Sequence, residues 1–170
     1  SHGFSGVRVQ STFLTASLAS WGMIVVAPEH PSRDLTAVLG GTSGGSASDS
    51  SDDLLQSLDL IASAGDDPSS LFDGHVDAER VAAVGHSAGG GTVLLAAADD
   101  RIDGYVSLAS GRFDDSVTMP AKPSLFVAGA ADGVVSADET TRPAYEAAPS
   151  PSTLWVIDGV GHNGFDDFCT

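Results

Sequence analysis

The segment Val81–Ala98, which reads VAAVGHSAGGGTVLLAAA, decides the fold of this chain. It opens with four small apolar residues, as expected of a strand that is buried on both faces. The next five residues, Gly85-His86-Ser87-Ala88-Gly89, match the pattern G-x-S-x-G, in which a serine lies on a sharp turn between a strand and a helix. Small and apolar residues then continue to Ala98, which is typical of a buried helix. The segment therefore predicts a strand, a turn and a helix, with the Ser87 hydroxyl exposed at the turn.

The pattern G-x-S-x-G also occurs at Gly41-Thr42-Ser43-Gly44-Gly45, so the motif alone does not choose the nucleophile. The chain contains 20 Gly, and short glycine patterns therefore arise by chance. Ser43 lies in the Gly- and Ser-rich stretch Gly40–Ser51, which is typical of a flexible surface loop. Only Ser87 has a strand pattern before it and a helix pattern after it. We predict that Ser87 is the nucleophile and that Ser43 is a loop residue.

The rest of the chain alternates between strand and helix patterns. The predicted strands are Met23–Ala27, Val81–Val84, Tyr105–Leu108, Leu125–Ala130 and Leu154–Ile157. The predicted helices are Arg8–Ser20, Asp52–Ala64, Ala88–Ala98 and Ala137–Ala147, the second of them beginning at a capping box formed by Ser50 and Asp53. Alternation of this kind indicates right-handed βαβ units in a doubly wound, mostly parallel α/β sheet. We predict a single domain over residues 1–170.

The nucleophile needs two partners, a base that takes its proton and a carboxylate that fixes the tautomer of the base. When the serine lies on a strand–turn–helix, the acid precedes the histidine along the chain. His162, in a Gly-rich loop after the last predicted strand, is the one histidine that follows Ser87. Asp132 comes directly after the strand Leu125–Ala130, whereas the alternative, Asp158, fits a turn at the end of a strand better. We therefore predict His162 as the base and Asp132 as the acid.

The chain begins with Ser1-His2-Gly3-Phe4-Ser5-Gly6. A His-Gly pair that opens a loop ahead of a helix resembles the oxyanion loop of esterases and lipases. The resemblance implies that the backbone N–H groups of Phe4 and of Ala88, the residue after the nucleophile, together stabilise a tetrahedral intermediate. The other interpretation of the segment is a Gly-rich turn that exposes Phe4.

Further motifs extend the resemblance nearly from end to end: SLASWGMIV at 17–25, EHPSRD at 29–34, VGHSAGG at 84–90 and GHNGFDDF at 161–168. With them the chain resembles bacterial relatives of the platelet-activating-factor acetylhydrolases and of the dienelactone-hydrolase and polyester-hydrolase (cutinase-like) groups. The resemblance implies an α/β-hydrolase fold and a serine esterase for short- to medium-chain acyl esters, with polyesters as candidate substrates. It also implies an acyl-Ser87 intermediate and no cofactor or metal.

The position of the acid distinguishes these groups. In the acetylhydrolases that act on platelet-activating factor, the acid follows the strand after the nucleophile helix, where this chain has SLASG at 107–111 and no carboxylate. The resemblance to polyester hydrolases and cutinase-like enzymes implies Asp132 as the acid. In that pattern, the aromatic residue of the oxyanion loop and an apolar residue two positions beyond the acid line the acyl cleft. The implied substrate-binding residues are therefore Phe4 and Val134.

Charge and composition limit the classes of partner that the chain is expected to bind. The net charge of −16 repels nucleic acid and anionic membranes. No apolar stretch approaches the length of about 18 residues that a membrane-spanning helix needs. We therefore expect a small-molecule or polymeric ester as the partner, with no nucleic acid and no transmembrane segment. The single cysteine, Cys169, excludes an internal disulfide and a cysteine-based metal site. The acidic composition fits a solvated surface in a cytoplasmic or a secreted protein and does not decide between them, although we slightly favour a secreted one.

Two other functions use the same scaffold. Acyl transfer, or cleavage of a thioester or amide, needs the same three side chains. A non-catalytic binding protein needs only the fold, and the presence of serine, aspartate and histidine at the three positions argues against it.

The implied fold contains a central strand that leads into the oxyanion loop and lies between Met23–Ala27 and Val81–Val84. Residues 1–170 contain no segment for that strand, for the first strands of the family or for its closing helix. We therefore expect a partial α/β-hydrolase domain, in which the two flanking strands each have an unpaired edge.

Overall fold

The computed structural model describes residues 1–111 and 117–168, so that Cys169 lies outside the described residues. The strands are β1 Ala82–His86, β2 Gly104–Leu108, β3 Ser124–Gly129 and β4 Ser152–Ile157. The helices are α1 Thr12–Ser20, α2 Leu35–Leu39, α3 Ala47–Gly65, α4 Ala88–Ala96 and α5 Arg142–Ala147, with a π-helical turn at Ala137–Thr141 and a 3₁₀ turn at His162–Phe165. Within the described ranges, no helix has the length and apolarity that crossing a membrane requires.

The four strands form one sheet in the order β1-β2-β3-β4, and each neighbouring pair is parallel. Four of the five predicted strands are therefore confirmed, with ends that differ by at most two residues. Because the strands are parallel, their carboxyl ends meet at one edge of the sheet. In sheets of this type, that edge is where ligands bind.

The main core lies between α4 and the sheet. Val93 and Leu94 of α4 are buried in one cluster with Tyr105 of β2 and Phe126 of β3, whose rings meet edge to face with centroids 6.0 Å apart. α3 packs against α4, so that α4 is enclosed by the sheet and by another helix. A helix covered on opposite sides has no need of a polar face, which explains its apolar sequence. The packing fixes the start of α4, and with it Ser87, at the edge of the sheet.

The predicted strand Met23–Ala27 is wrong for the described structure. These residues belong to no sheet, and Met23 is 55% and Ile24 39% exposed. A cavity of 990 Å³ lies between this segment and β1. Among the described strands β1 pairs with β2 alone. On its other edge, Ser1 N donates to the Val84 carbonyl oxygen at 2.7 Å and the His86 N–H donates to the Ser1 carbonyl oxygen at 3.1 Å, and no described strand pairs there. A strand forms only when a neighbouring strand accepts and donates its backbone hydrogen bonds, and an apolar composition does not show whether that neighbour is present.

α3 begins one turn earlier than predicted. Its start is a capping box in which Ser46 Oγ accepts from the Asp49 N–H and the Asp49 carboxylate accepts from the Ser46 N–H. The predicted pair, Ser50 and Asp53, has the same spacing but lies inside the helix. The predicted loop Gly40–Ser51 therefore ends at Ser46, because the earlier of two equivalent polar pairs forms the cap.

α1 begins at Thr12 rather than at Arg8. The carboxylate of Asp167 accepts hydrogen bonds from the N–H groups of Thr12 (2.8 Å) and Phe13 (3.3 Å). These are two of the N–H groups that the start of a helix leaves without an intrahelical acceptor. The carboxylate comes from a distant part of the chain, so the local sequence does not reveal it. The predicted helix Ala137–Ala147 is present, as the π-helical turn continued by α5.

Candidate active site

Ser87 lies at the turn between β1 and α4. Its backbone has φ 54° and ψ −123°, which residues other than glycine rarely adopt. The flanking glycines make the turn possible, since a Cβ at Gly85 would lie 2.1 Å from the Gly89 carbonyl oxygen. The Ser87 N–H donates to the Leu108 carbonyl of β2 at 2.9 Å, which ties the turn to the sheet. This is the strained strand–turn–helix geometry that presents a nucleophilic serine.

The Ser87 hydroxyl is hydrogen-bonded to His162, which is hydrogen-bonded in turn to Asp132. His162 Nε2 lies 2.9 Å from Ser87 Oγ, and His162 Nδ1 lies 2.8 Å from Asp132 Oδ2. Because an ionised carboxylate only accepts, the imidazole proton is on Nδ1, and Nε2 accepts from the serine hydroxyl. The structure thus brings together the three side chains that the sequence analysis selected. An arrangement of this kind is able to activate a hydroxyl as a nucleophile.

Three N–H groups hold the buried Asp132 carboxylate. Its Oδ1 accepts from the backbone N–H groups of Val134 and Val135, each at 2.8 Å, and its Oδ2 accepts from His162. Burial by itself raises the pKa of the Asp132 carboxyl, but these hydrogen bonds outweigh it and hold the pKa below its usual value. The alternative acid, Asp158, is exposed in the turn after β4. Asp132, and not Asp158, is therefore the carboxylate at His162.

His86, the residue before the serine, contacts the backbone of His162. Its Nε2 lies 2.9 Å from the His162 carbonyl oxygen, so Nε2 carries the proton and donates. Its Nδ1 then accepts from the side-chain amide of Gln10 at 3.2 Å. Burial is the main cause that lowers the pKa of His86 and keeps its ring neutral. Sequence reasoning missed this residue, for which the only signal is its place inside the G-x-S-x-G motif.

The first loop of the chain, residues 1–6, lies against the nucleophile turn. A Cβ at Gly3 would be 3.1 Å from the Ser87 Cβ. Ala88 is the first residue of α4, so its N–H has no acceptor within the helix. Among the described residues, the Phe4 N–H has no hydrogen-bond acceptor either. Two backbone N–H groups beside the serine are therefore available to a ligand.

Phe4, whose N–H is one of these groups, and Val134, whose N–H donates to Asp132, have exposed apolar side chains. Phe4 is 62% and Val134 is 73% exposed, whereas Ser87 is partly exposed. A cleft of 260 Å³ borders Phe4 and Ala88 and extends to the polar loop at Ser43. No histidine among the described residues is hydrogen-bonded to Ser43, which lies in a loop as predicted. The cleft thus lies beside Phe4 and Ala88, the two residues whose N–H groups are available to a ligand.

The described residues contain no group of three or more His, Cys, Asp or Glu side chains arranged to hold a metal ion. The histidines near Ser87 are hydrogen-bonded to protein atoms: His2 to Gly3, His86 to His162, and His162 to Asp132. The chemistry that these side chains offer is proton transfer and hydrogen bonding.

Parallel strands that lead, in chain order, to a serine, an aspartate and a histidine at one edge of the sheet are the arrangement of the α/β-hydrolases, and this chain has that fold. A family model, described as PETase, PET hydrolase-like, matches residues 1–166. The chain therefore belongs to the PET hydrolase-like family. Of the groups that its sequence resembles, the polyester hydrolases are the one that the family match supports.

The chain is also similar to a cutinase, est2 of Thermobifida alba, with 26% identity over 174 residues. The alignment covers 95% of this chain and 51% of the cutinase, so the chain spans about half the length of this curated relative. The similarity agrees with the family match in pointing to the polyester-hydrolase and cutinase group.

Proposed function

We propose that the protein hydrolyses carboxylic esters, polyesters among them, through an acyl intermediate on Ser87. The observation that carries the proposal is the hydrogen-bonded chain from Ser87 through His162 to Asp132, with distances of 2.9 and 2.8 Å. Membership in the PET hydrolase-like family and the likeness to a cutinase support esters as the substrate class.

In the first half-reaction, His162 Nε2 takes the hydroxyl proton while Ser87 Oγ attacks the carbonyl carbon of the ester. The carbonyl oxygen becomes an oxyanion, which accepts hydrogen bonds from the N–H groups of Phe4 and Ala88. One donor of this kind typically contributes about 2.7–4 kcal/mol to lowering the barrier. Asp132 stabilises the imidazolium, because its lowered pKa keeps the carboxylate ionised at neutral pH. His162 then gives its proton to the leaving alkoxide, and the alcohol departs.

In the second half-reaction, water takes the place of the alcohol. His162 removes a proton from the water, whose oxygen attacks the carbonyl carbon of the acyl-Ser87 ester. The second oxyanion forms beside the same two N–H groups and collapses with loss of Ser87 Oγ. Oγ recovers its proton from His162, and the carboxylic acid leaves.

We propose that Phe4 and Val134 line the acyl cleft. Both are apolar side chains that remain largely exposed, so a ligand that covers them removes apolar surface from water. Fully burying one such side chain is worth about 1.5–3 kcal/mol, which sets the upper limit of each contribution. Ser87 is itself partly exposed, and a polymer chain reaches only a serine that is not enclosed.

The test is a panel of p-nitrophenyl esters of graded acyl length together with a polyester film, incubated with the full-length protein. We expect turnover of the short and medium esters and release of soluble products from the film, both abolished in Ser87→Ala. Phe4→Ala and Val134→Ala are expected to raise KM, while Leu71→Ala, at a remote residue that is 94% exposed, serves as the matched control. Turnover that requires an added alcohol acceptor would instead indicate acyl transfer, and no turnover of any ester would contradict the proposal.

A further inference from the structure

We propose that His2 is a positioning residue, which orients the Gly3–Phe4 peptide so that its N–H points at the ester carbonyl oxygen bound at Ser87. The inference rests on the proposed ester hydrolysis and adds a side chain to it. His2 does not touch the reacting atoms, because its ring is buried beneath the loop, with 4% of the residue exposed. It acts through the backbone.

The ring of His2 donates a hydrogen bond to the carbonyl group of the Gly3–Phe4 peptide. His2 Nδ1 lies 2.8 Å from the Gly3 carbonyl oxygen, which also accepts from the Gly6 N–H at 3.2 Å. That carbonyl and the Phe4 N–H belong to one planar trans peptide, so they point in opposite directions. Fixing the Gly3 oxygen toward His2 therefore directs the Phe4 N–H away from the ring, into the site.

The hydrogen bonds of the ring determine which nitrogen is protonated. The His30 N–H donates to His2 Nε2 at 3.0 Å, so Nε2 carries a lone pair and the proton is on Nδ1. Burial, opposed by the bond to Gly3 and aided by Arg33, lowers the pKa of His2 and keeps the ring neutral. The opposite tautomer would place two acceptors 2.8 Å apart and lose the His30 bond.

Protonation would preserve the same contact. Glu29 Oε1 lies 3.2 Å from His2 Nε2, so a charged ring donates to this carboxylate while Nδ1 still donates to Gly3. In each of these protonation states, the group that faces the Gly3 carbonyl is therefore a donor.

Arg33 fixes the segment that carries the ring. Its guanidinium donates to the His2 carbonyl oxygen (2.8 Å), to Ser1 Oγ (2.9 Å) and to Thr92 Oγ1 (2.7 Å). The Thr92 hydroxyl donates to the Ala88 carbonyl oxygen at 3.0 Å. The buried Arg33 guanidinium thus links the loop that supplies the Phe4 N–H to the helix turn that supplies the Ala88 N–H.

Two substitutions separate the functions of the ring nitrogens. In His2→Asn, the side-chain amide lies near the position of Nδ1 and is able to donate to Gly3. In His2→Gln, the amide lies near the position of Nε2 and keeps a partner for the His30 N–H, but it leaves the Gly3 carbonyl without the side-chain donor. His75→Gln, at an exposed histidine in the loop after α3, is the matched control.

We expect kcat for a p-nitrophenyl ester to fall about 10- to 100-fold in His2→Gln, less than the loss of a whole oxyanion donor, with KM within about two-fold. His2→Asn is expected to recover most of kcat, and His75→Gln to match the wild type. Equal losses in both His2 variants, or wild-type kcat in His2→Gln, would overturn the proposal, because a purely structural role predicts parallel effects.

A second readout does not depend on catalysis. Long-range ¹H–¹⁵N spectra of the wild-type histidine rings, with the His2 signals assigned by their absence in His2→Gln, should show the Nδ1–H tautomer. An Nε2–H tautomer overturns the inference whether or not the protein turns over an ester. An inactive wild-type protein that shows the Nδ1–H tautomer would instead contradict the proposed function.

Discussion

His162 Nε2 lies 2.9 Å from Ser87 Oγ, although the two residues are 75 positions apart in the chain and follow strands at opposite sides of the sheet. The loop after β4 closes the gap by crossing the end of β3. A Cβ at Gly129, the last residue of β3, would lie 2.1 Å from the Val160 carbonyl oxygen of that loop. The absence of a side chain at one position in β3 thus permits the loop to bring His162 to the serine.

Gly129→Ala should separate His162 from Ser87, because the added methyl group collides with the Val160 carbonyl oxygen and displaces the loop that carries His162. We expect kcat for ester hydrolysis to fall by about 10²-fold, the usual effect of misplacing a catalytic group by about 1 Å. Gly133→Ala is the matched control, since a Cβ there meets nothing within 4 Å, and it should retain wild-type kcat. Equal kcat in the two variants would show that the close approach does not position His162.

Asp132→Asn should lower kcat by about 10⁴-fold, the effect known for a serine protease whose triad acid is replaced by its amide, because the amide favours the wrong imidazole tautomer. Asp158→Asn, at the exposed carboxylate after β4, should leave kcat near the wild-type value. Steady-state kinetics of the two variants decide between the carboxylates. The opposite result would identify Asp158 as the acid.

The buried His86 should make the stability of the fold depend on pH. Burial lowers its pKa in the folded state, whereas a histidine in the unfolded chain has a pKa of about 6.5. As the pH falls below about 6.5, the unfolded chain binds a proton that the folded protein does not, so the free energy of unfolding decreases, by at most about 1.4 kcal/mol per pH unit for this residue.

Denaturant unfolding between pH 4 and 7, with His86→Gln as the comparison, checks this expectation. Gln retains a donor for the His162 carbonyl oxygen but does not titrate, so its stability should fall less steeply toward low pH. Equal slopes in the two proteins would show that His86 takes no part in the pH dependence.

Residues of the site that follow strands could be predicted, because sheet topology converts a sequence position into a spatial one. Ser87, Asp132 and His162 each come shortly after an apolar run, and parallel strands bring such positions to one edge. The contacts of His2 with His30 and Arg33 could not be predicted, because they depend on the side-chain packing of segments that form no sheet.

The predicted helix and strand boundaries that the structure corrects were wrong for a related reason. The start of α1 depends on the Asp167 carboxylate, and the absence of a strand at Met23–Ala27 depends on the lack of a paired neighbour among the described residues. Both are long-range conditions that local composition does not express. The start of α3 was ambiguous for another reason, since Ser46 and Ser50 are each followed by Asp at the third position.

Reaction with a fluorophosphonate, followed by intact-mass and peptide analysis, determines whether Ser87 is the nucleophile. Ser43 provides the internal control, because it lies in the same G-x-S-x-G pattern without a histidine hydrogen-bonded to it among the described residues. We predict a single adduct, on the peptide that contains Ser87, which disappears in Ser87→Ala and persists in Ser43→Ala. An adduct on Ser43, or labelling that survives Ser87→Ala, would show that Ser87 is not the nucleophile.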